Sequence, residues 1–141
     1  MKKRQACILA AVLMATSSCA TVRELPGADM SCPAAPKCVS SQASDSRHHI
    51  EPFAFQGSPA GAMQRLREAV LTGKRVTIVE ERPDYLHFEV RSLVFRFVDD
   101  IEFTLQAEQG LIQVRSSARV GYTDFGVNRR RVERIRQKFQ Q

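Results

Sequence analysis

The chain has 141 residues, 21 basic against 15 acidic for a formal charge of +6, four cysteines and no tryptophan. That length holds one hydrophobic core of ordinary size and excludes a second domain of comparable weight. Lys2, Lys3 and Arg4 supply three of the basic residues, so beyond them 18 basic side chains face 15 acidic ones and the charge is +3. The surplus collects after residue 125, where Arg129, Arg130, Arg131, Arg134, Arg136 and Lys138 stand against Glu133 alone. Any preference for polyanions therefore belongs to the C-terminal segment.

Residues 1–18 read as a secretory signal, with a basic start at Lys2 to Arg4, an apolar run from Ala6 to Ala15, and small polar residues leading into Cys19. An apolar run of that length rises only about 15 Å as a helix, half of a bilayer core, so a spanning helix is the poorer reading. Ala15-Thr16-Ser17-Ser18-Cys19 resembles a lipobox, in which the cysteine becomes diacylated and N-terminal, although Thr16 stands where such boxes carry Leu. The competing reading is cleavage after Ala20 and a soluble periplasmic protein. With Cys7 removed and Cys19 acylated, Cys32 and Cys38 remain as an even pair, which suits an oxidising compartment. A structural disulfide, a metal half-site completed by His48 and His49, and a redox pair all fit these two cysteines. Spacing alone does not decide among them.

Residues 19–47 are rich in Pro, Ser, Ala and Gly without periodicity, and are expected to form the lipidated cysteine and a flexible tether carrying the Cys pair. One domain is expected over 48–141. A first strand over 50–55 precedes a helix opened by Ser58 and Pro59, with Met63, Leu66, Ala69 and Val70 on one face and Gly73 as its stop. Strands are then predicted over 75–80, 85–91, 101–106 and 111–117. In the last hairpin the alternation sets Leu105 against Ile112, Phe103 against Val114, and Glu102 against Arg115 on the opposite face. In the first, a three-residue loop sets Ile78 against Leu86 and Val76 against Phe88. Residues 93–98 extend a strand or cross the sheet. Asp124 is placed to cap a final helix whose Asn128, Val132, Ile135 and Phe139 face the core. The expected fold is α+β, in the order β-α-β-β-β-β-α: an antiparallel sheet of four to five strands with two helices on one face.

The run Cys32-Pro33-Ala34-Ala35-Pro36-Lys37-Cys38, with His49-Ile50-Glu51-Pro52-Phe53 after it, resembles the opening of the family called domain of unknown function 1499. Its closing signature is resembled by Val98-Asp99-Asp100-Ile101-Glu102-Phe103 and by the stretch from Val114-Arg115-Ser116-Ser117 through Gly121-Tyr122-Thr123-Asp124-Phe125-Gly126-Val127-Asn128 to Arg131. The resemblance spans about residues 31–139. It implies an exported or membrane-attached protein and brings no reaction, substrate, cofactor or catalytic residue.

Among the chemistry-bearing residues, Ser116 or Ser117 with His87 and Asp99 or Asp100 form a Ser-His-Asp set only on paper, since no Gly-x-Ser-x-Gly elbow and no His-Glu-x-x-His is present. Asp99, Asp100 and Glu102 are either a cation site or partners of Arg115 and Arg119 across the sheet. The stretch 121–131 has the make-up of an anion site, because free amides at a helix start meet several arginines. Asn128, Arg129, Arg131 and Arg134 are the candidate anion-binding residues, with Arg130 the least important and with little cost in stability on losing Arg131. The function these features suggest is an envelope-anchored binding or accessory domain facing the periplasm, attached through its lipid and recognising an anionic lipid, a glycan or an envelope protein. Neither nucleic acid nor a cofactor is implied. A hydrolase-like envelope enzyme and a purely structural interaction module are the alternatives.

Overall fold

The computed structural model describes residues 29–141. The signal segment 1–18, the acylation site Cys19 and the first part of the expected tether lie outside the described residues. Two short strands, β1 (Cys38–Ser40) and β2 (Phe53–Ala54), precede helix α1 (Pro59–Leu71). The strands β3 (Val76–Arg82), β4 (Tyr85–Arg91), β5 (Val98–Gln106) and β6 (Leu111–Ala118) follow, and α2 (Val127–Phe139) closes the chain. Among the described residues the named strands pair antiparallel in the order β1-β6-β5-β4-β3, and β2 also pairs with β6, below β1 on the same edge. The fold is α+β with both helices packed on one face of the sheet.

The sheet follows from period-two alternation. Leu86 and Phe88 of β4, Ile101 and Phe103 of β5, and Ile112 and Val114 of β6 point to the helices and are almost wholly buried. Phe53 meets Phe103 and Phe139 edge to face, each with ring centroids 5.6 Å apart, so the two-residue β2 ties the sheet to the end of α2. Helix α1 begins where Ser58 Oγ accepts the Gly61 amide at 3.1 Å, ahead of Pro59. It buries Ala62, Met63, Leu66, Ala69 and Val70, and ends as the Gly73 amide bonds the Val70 carbonyl. Helix α2 buries Asn128, Val132, Ile135 and Phe139.

The β5–β6 register is as the alternation predicts, with Glu102, Phe103 and Leu105 opposite Arg115, Val114 and Ile112. The β3–β4 register differs by two residues: Ile78 lies opposite Phe88 and Val76 opposite Val90. Its turn is two residues long, since Arg82 pairs with Tyr85, and a bulge between Ile78 and Glu80 takes up one residue at Val79. A two-residue turn with a one-residue bulge gives the same pairing as a plain three-residue loop over 82–84, so the difference lies in the pairs assigned to that loop, and the same side chains face inward.

The expected flexible tether through residue 47 also needs correction. Its last part is ordered: Cys38–Ser40 extends the sheet along β6, Val39 is buried in the core, and a parallel bridge joins Ser40 to His49. Unpaired edge amides of β6 explain this, because any short extended segment satisfies them. Cys32 and Cys38 are joined as a disulfide, with Cα atoms 5.6 Å apart. Closing so short a loop stabilises by about 2 kcal/mol in the chain-entropy model, and its effect is to pin the start of β1. With both sulfurs in the disulfide, His48 and His49 have other partners, His48 Nε2 lying 3.3 Å from the Ala35 carbonyl of the loop between the cysteines. His48 Nδ1 lies 2.9 Å from both Asp45 oxygens, and His49 Nδ1 lies 3.1 Å from the Ala43 carbonyl.

Candidate functional site

The start of α2 is built from a hydrogen-bonded chain of buried polar groups. Gly126, in the left-handed region at φ 75°, is the N-cap and offers no side chain. Asp124 does the capping from two residues earlier, its Oδ1 accepting the Gly126 amide at 2.9 Å and its Oδ2 the Asn128 amide at 2.8 Å. Burial alone would raise the Asp124 carboxyl, but the bonds from the Asn128 and Gly126 amides and the Asn128 side chain outweigh it and hold the pKa below the ordinary 3.8. Asn128 is wholly buried: its Oδ1 accepts from Ser116 Oγ at 2.5 Å and Arg131 Nη1 at 2.7 Å, and its Nδ2 donates to Asp124 Oδ2 at 2.8 Å and the Lys37 carbonyl at 3.3 Å. Arg131 then reaches Asp99 Oδ2 at 2.6 Å, both side chains 14 % exposed.

At the helix start the Asn128 amide is taken by the Asp124 carboxylate and the Val127 amide by the Asp124 carbonyl, and the Asn128 side chain is saturated by partners within the chain. A depressed carboxyl pKa stabilises the fold above the unfolded value and the contribution is lost as pH falls through the folded value, because the unfolded chain takes up the proton first. Asp124→Asn is therefore expected to flatten the fall in the unfolding midpoint between about pH 5 and pH 2 relative to wild type. An unchanged slope on thermal scans across that range contradicts the capping role.

The six basic residues of α2 divide by what they touch. Arg129 Nη2 bonds the Arg47 carbonyl at 2.9 Å, and Arg136 bonds the Glu51 and Pro52 carbonyls while stacking over the Phe53 ring at 4.3 Å. These two fasten the helix to the segment before β2. Arg130 Nη1 bonds the Phe125 carbonyl at 2.9 Å, and Arg131 belongs to the Asn128 chain. The expected quartet Asn128, Arg129, Arg131 and Arg134 is thus split, and only Arg131 and Arg134 share a surface.

That surface is a cleft of about 490 Å³ between the C-terminal end of α1, the first residues of β3, the last of β4, and one flank of α2. Its floor is apolar, from Val70, Val76, Val90, Ile101 and Ile135. Its walls carry Lys74, Arg75, Arg91, Arg131, Arg134 and Lys138, with Asp99 as the one acid, already held by Arg131. Arg75 and Arg91 have partners of their own: Arg75 Nε bonds the Arg91 carbonyl at 2.9 Å and Arg91 Nη2 bonds Glu89 at 3.1 Å. Among the described residues, no side-chain hydrogen bond or ion pair engages Lys74, Arg134 or Lys138. Lys74, Arg75 and Arg91 do not figure in the sequence reading. The signal that could reveal them is strand pairing, since the Arg91 amide bonds the Arg75 carbonyl at the foot of β3–β4.

The helix-free face of the sheet holds the other titratable groups. His87 Nε2 lies 2.8 Å from Asp100 Oδ1, and Arg119 clasps Asp100 at 2.7 Å and Glu89 at 2.6 Å. Without Arg119 the paired Glu89 and Asp100 would face each other across β4–β5 as like charges. Burial would raise the Asp100 carboxyl, yet Arg119 and His87 more than offset it and lower its pKa. Glu102 accepts from Tyr85 Oη at 2.8 Å and Arg115 Nη1 at 2.9 Å, and burial pushes the Tyr85 phenol up, reinforced by that carboxylate. Asp99 points to the helices and Asp100 and Glu102 to the other face, so the three carboxylates do not converge, and no group of three or more His, Cys, Asp or Glu side chains among the described residues could hold a metal. Ser117 lies across the ladder from Asp100, which in turn bonds His87. The carboxylate therefore stands between hydroxyl and imidazole, whereas proton transfer from a serine requires the imidazole in the middle.

The model of a family described as a protein of unknown function, DUF1499, matches residues 30–139. No curated protein and no solved structure matches the chain.

Proposed function

The chain belongs to the DUF1499 family, which brings no reaction with it, and we propose from the chemistry of the cleft that it is an envelope-anchored binding domain for an anionic amphiphile, a molecule with an acidic headgroup and an apolar tail. The observation that carries this reading is the pairing of an apolar floor with six cations against one neutralised acid. An acidic headgroup would sit between Arg134 and Lys138 on α2 and Lys74 across the opening, with its tail along Val70, Val76 and Ile135. The Cys32–Cys38 disulfide supports export to an oxidising compartment, where a diacylated Cys19 would hold the domain on the membrane.

Each charge-assisted hydrogen bond to the headgroup contributes about 1.5 to 3 kcal/mol, less where solvent screens it. Arg134→Glu with Lys138→Glu is therefore expected to weaken binding of dioctanoyl phosphatidylglycerol, titrated as a monomer by calorimetry, by about ten-fold or more. Arg130→Ala, on the far side of the helix start, should bind as wild type does. Equal affinity in wild type and the doubly reversed variant removes the reading.

A further inference from the structure

We infer that the end of the sheet formed by the loops 92–97 and 119–126 is a docking surface for an anionic lipid bilayer. The topology brings the loops together: Arg91 and Val98 are paired across the first, and the Arg119 amide, opening the second, bonds the Val98 carbonyl at 3.1 Å. Both loops expose large apolar side chains where a chain in water buries them. Phe95 is 75 % exposed, Tyr122 74 % and Phe125 81 %, with Leu93, Val94 and Phe97 beside them. An apolar surface this concentrated marks an interaction site.

The presentation is built in. Phe95 and Phe97 stack with centroids 5.5 Å apart, and the Ser92 hydroxyl accepts the Phe97 amide at 2.9 Å, closing the loop on itself. Arg96 and Phe125 each hold a left-handed backbone, at φ 54° and 53°, which a side chain of this size adopts only at a cost in strain. The Arg130 bond to the Phe125 carbonyl and the Thr123 hydroxyl on the Phe125 amide keep the second tip in that shape. The turn at Phe125 and Gly126 also brings Asp124 onto the Gly126 and Asn128 amides, so one turn both caps α2 and sets the Phe125 ring outside the fold.

The charge names the partner. Residues 73–75, 91–97 and 120–131 hold seven cations; Arg131 and Arg91 are paired with Asp99 and Glu89, which leaves Lys74, Arg75, Arg96, Arg129 and Arg130 against one acid, Asp124, whose oxygens are turned to the helix amides. Protruding aromatic tips ringed by cations match an interface in which rings enter the headgroup layer and cations meet lipid phosphates. Ser92, Val127 and Arg131 belong to this end and also line the cleft, so a docked domain would present the cleft to the lipid headgroups. Docking stands on the loops alone and does not require the cleft to bind anything.

The absence of tryptophan makes the test direct. Phe95→Trp and Phe125→Trp, each in the full chain, place a single reporter on each tip, and Val79→Trp places one on the exposed bulge of β3, distant from both. With vesicles of phosphatidylcholine containing phosphatidylglycerol, the indoles at positions 95 and 125 are expected to shift to the blue and to be quenched by lipids brominated on their acyl chains, and the indole at 79 to do neither. A lipid tether alone would bring the domain near the membrane without quenching the tips, so unquenched tips overturn the inference. A blue shift that appears without vesicles and grows with protein concentration means self-association and overturns it too. In the Arg134→Glu, Lys138→Glu background, tip quenching at the wild-type level while calorimetric binding is lost supports docking as separate from the cleft. Calorimetric binding retained with unquenched tips leaves the cleft reading standing and removes the docking one.

Discussion

Asn128→Ala is expected to lower the unfolding free energy by about 3 to 4 kcal/mol, more than an ordinary buried substitution, because it strips partners from several buried groups at once. The Ser116 hydroxyl and the Lys37 carbonyl lose the amide that joins β6 and the start of β1 to α2, and Asp124 loses its side-chain donor. Removing both ends of one bond is less costly than removing one. Asn128→Ala combined with Ser116→Ala should therefore recover part of the loss, by urea unfolding monitored by circular dichroism. Simple additivity of the two single variants would mean that the chain of bonds contributes nothing beyond packing.

Arg131→Ala is expected to cost about 2 to 3 kcal/mol, against the sequence reading in which this arginine is free for a ligand. Its guanidinium is shared between Asn128 Oδ1 and Asp99 Oδ2, and its loss leaves a carboxylate on the helix side of the sheet without a cation. Replacing the whole pair, Arg131→Met with Asp99→Leu, should restore most of that stability, since neither charge then needs solvating. A fully stable Arg131→Ala would return the residue to the role of a solvated cation. Because the single variant perturbs the fold, Arg134 and Lys138 are the residues on which to read binding.

The elements were legible where one signal governed them. Alternation from Ile101 to Gln106 and from Leu111 to Ser117 set the β5–β6 register, and Ser58-Pro59 with Gly73 marked the ends of α1 to within two residues. The β3–β4 pairs were displaced by two because a three-residue loop over 82–84 sets Ile78 opposite Phe88 and not Leu86; the bulge at Val79, which carries no local mark, is offset by the shorter turn. The strand Cys38–Ser40 is too short for any period and exists because β6 has an edge to fill. The partners of the α2 arginines were hidden for a related reason. An arginine that bonds a carbonyl more than eighty residues away, as Arg129 does at Arg47 and Arg136 at Glu51 and Pro52, is indistinguishable in sequence from one that faces solvent. The cleft likewise needs Lys74, Arg75 and Arg91 to be brought beside α2 by strand pairing, and helix periodicity contains none of that information. The same limit hid the loop end, since the apolar run at residues 93–98 reads as the extension of a strand or a crossing of the sheet, whereas residues 92–97 form an exposed loop.

The most direct test of the cleft as the binding site is photolabelling of the full-length chain with a diazirine-bearing analogue of phosphatidylglycerol, followed by peptide mapping. Labelled peptides should contain the end of α1 through Val76, the Val90 to Ser92 stretch, or the flank of α2 from Arg131 to Lys138, with competition by unlabelled lipid. Label confined to the helix-free face around Asp100 and Arg119, or label spread evenly without competition, would contradict it.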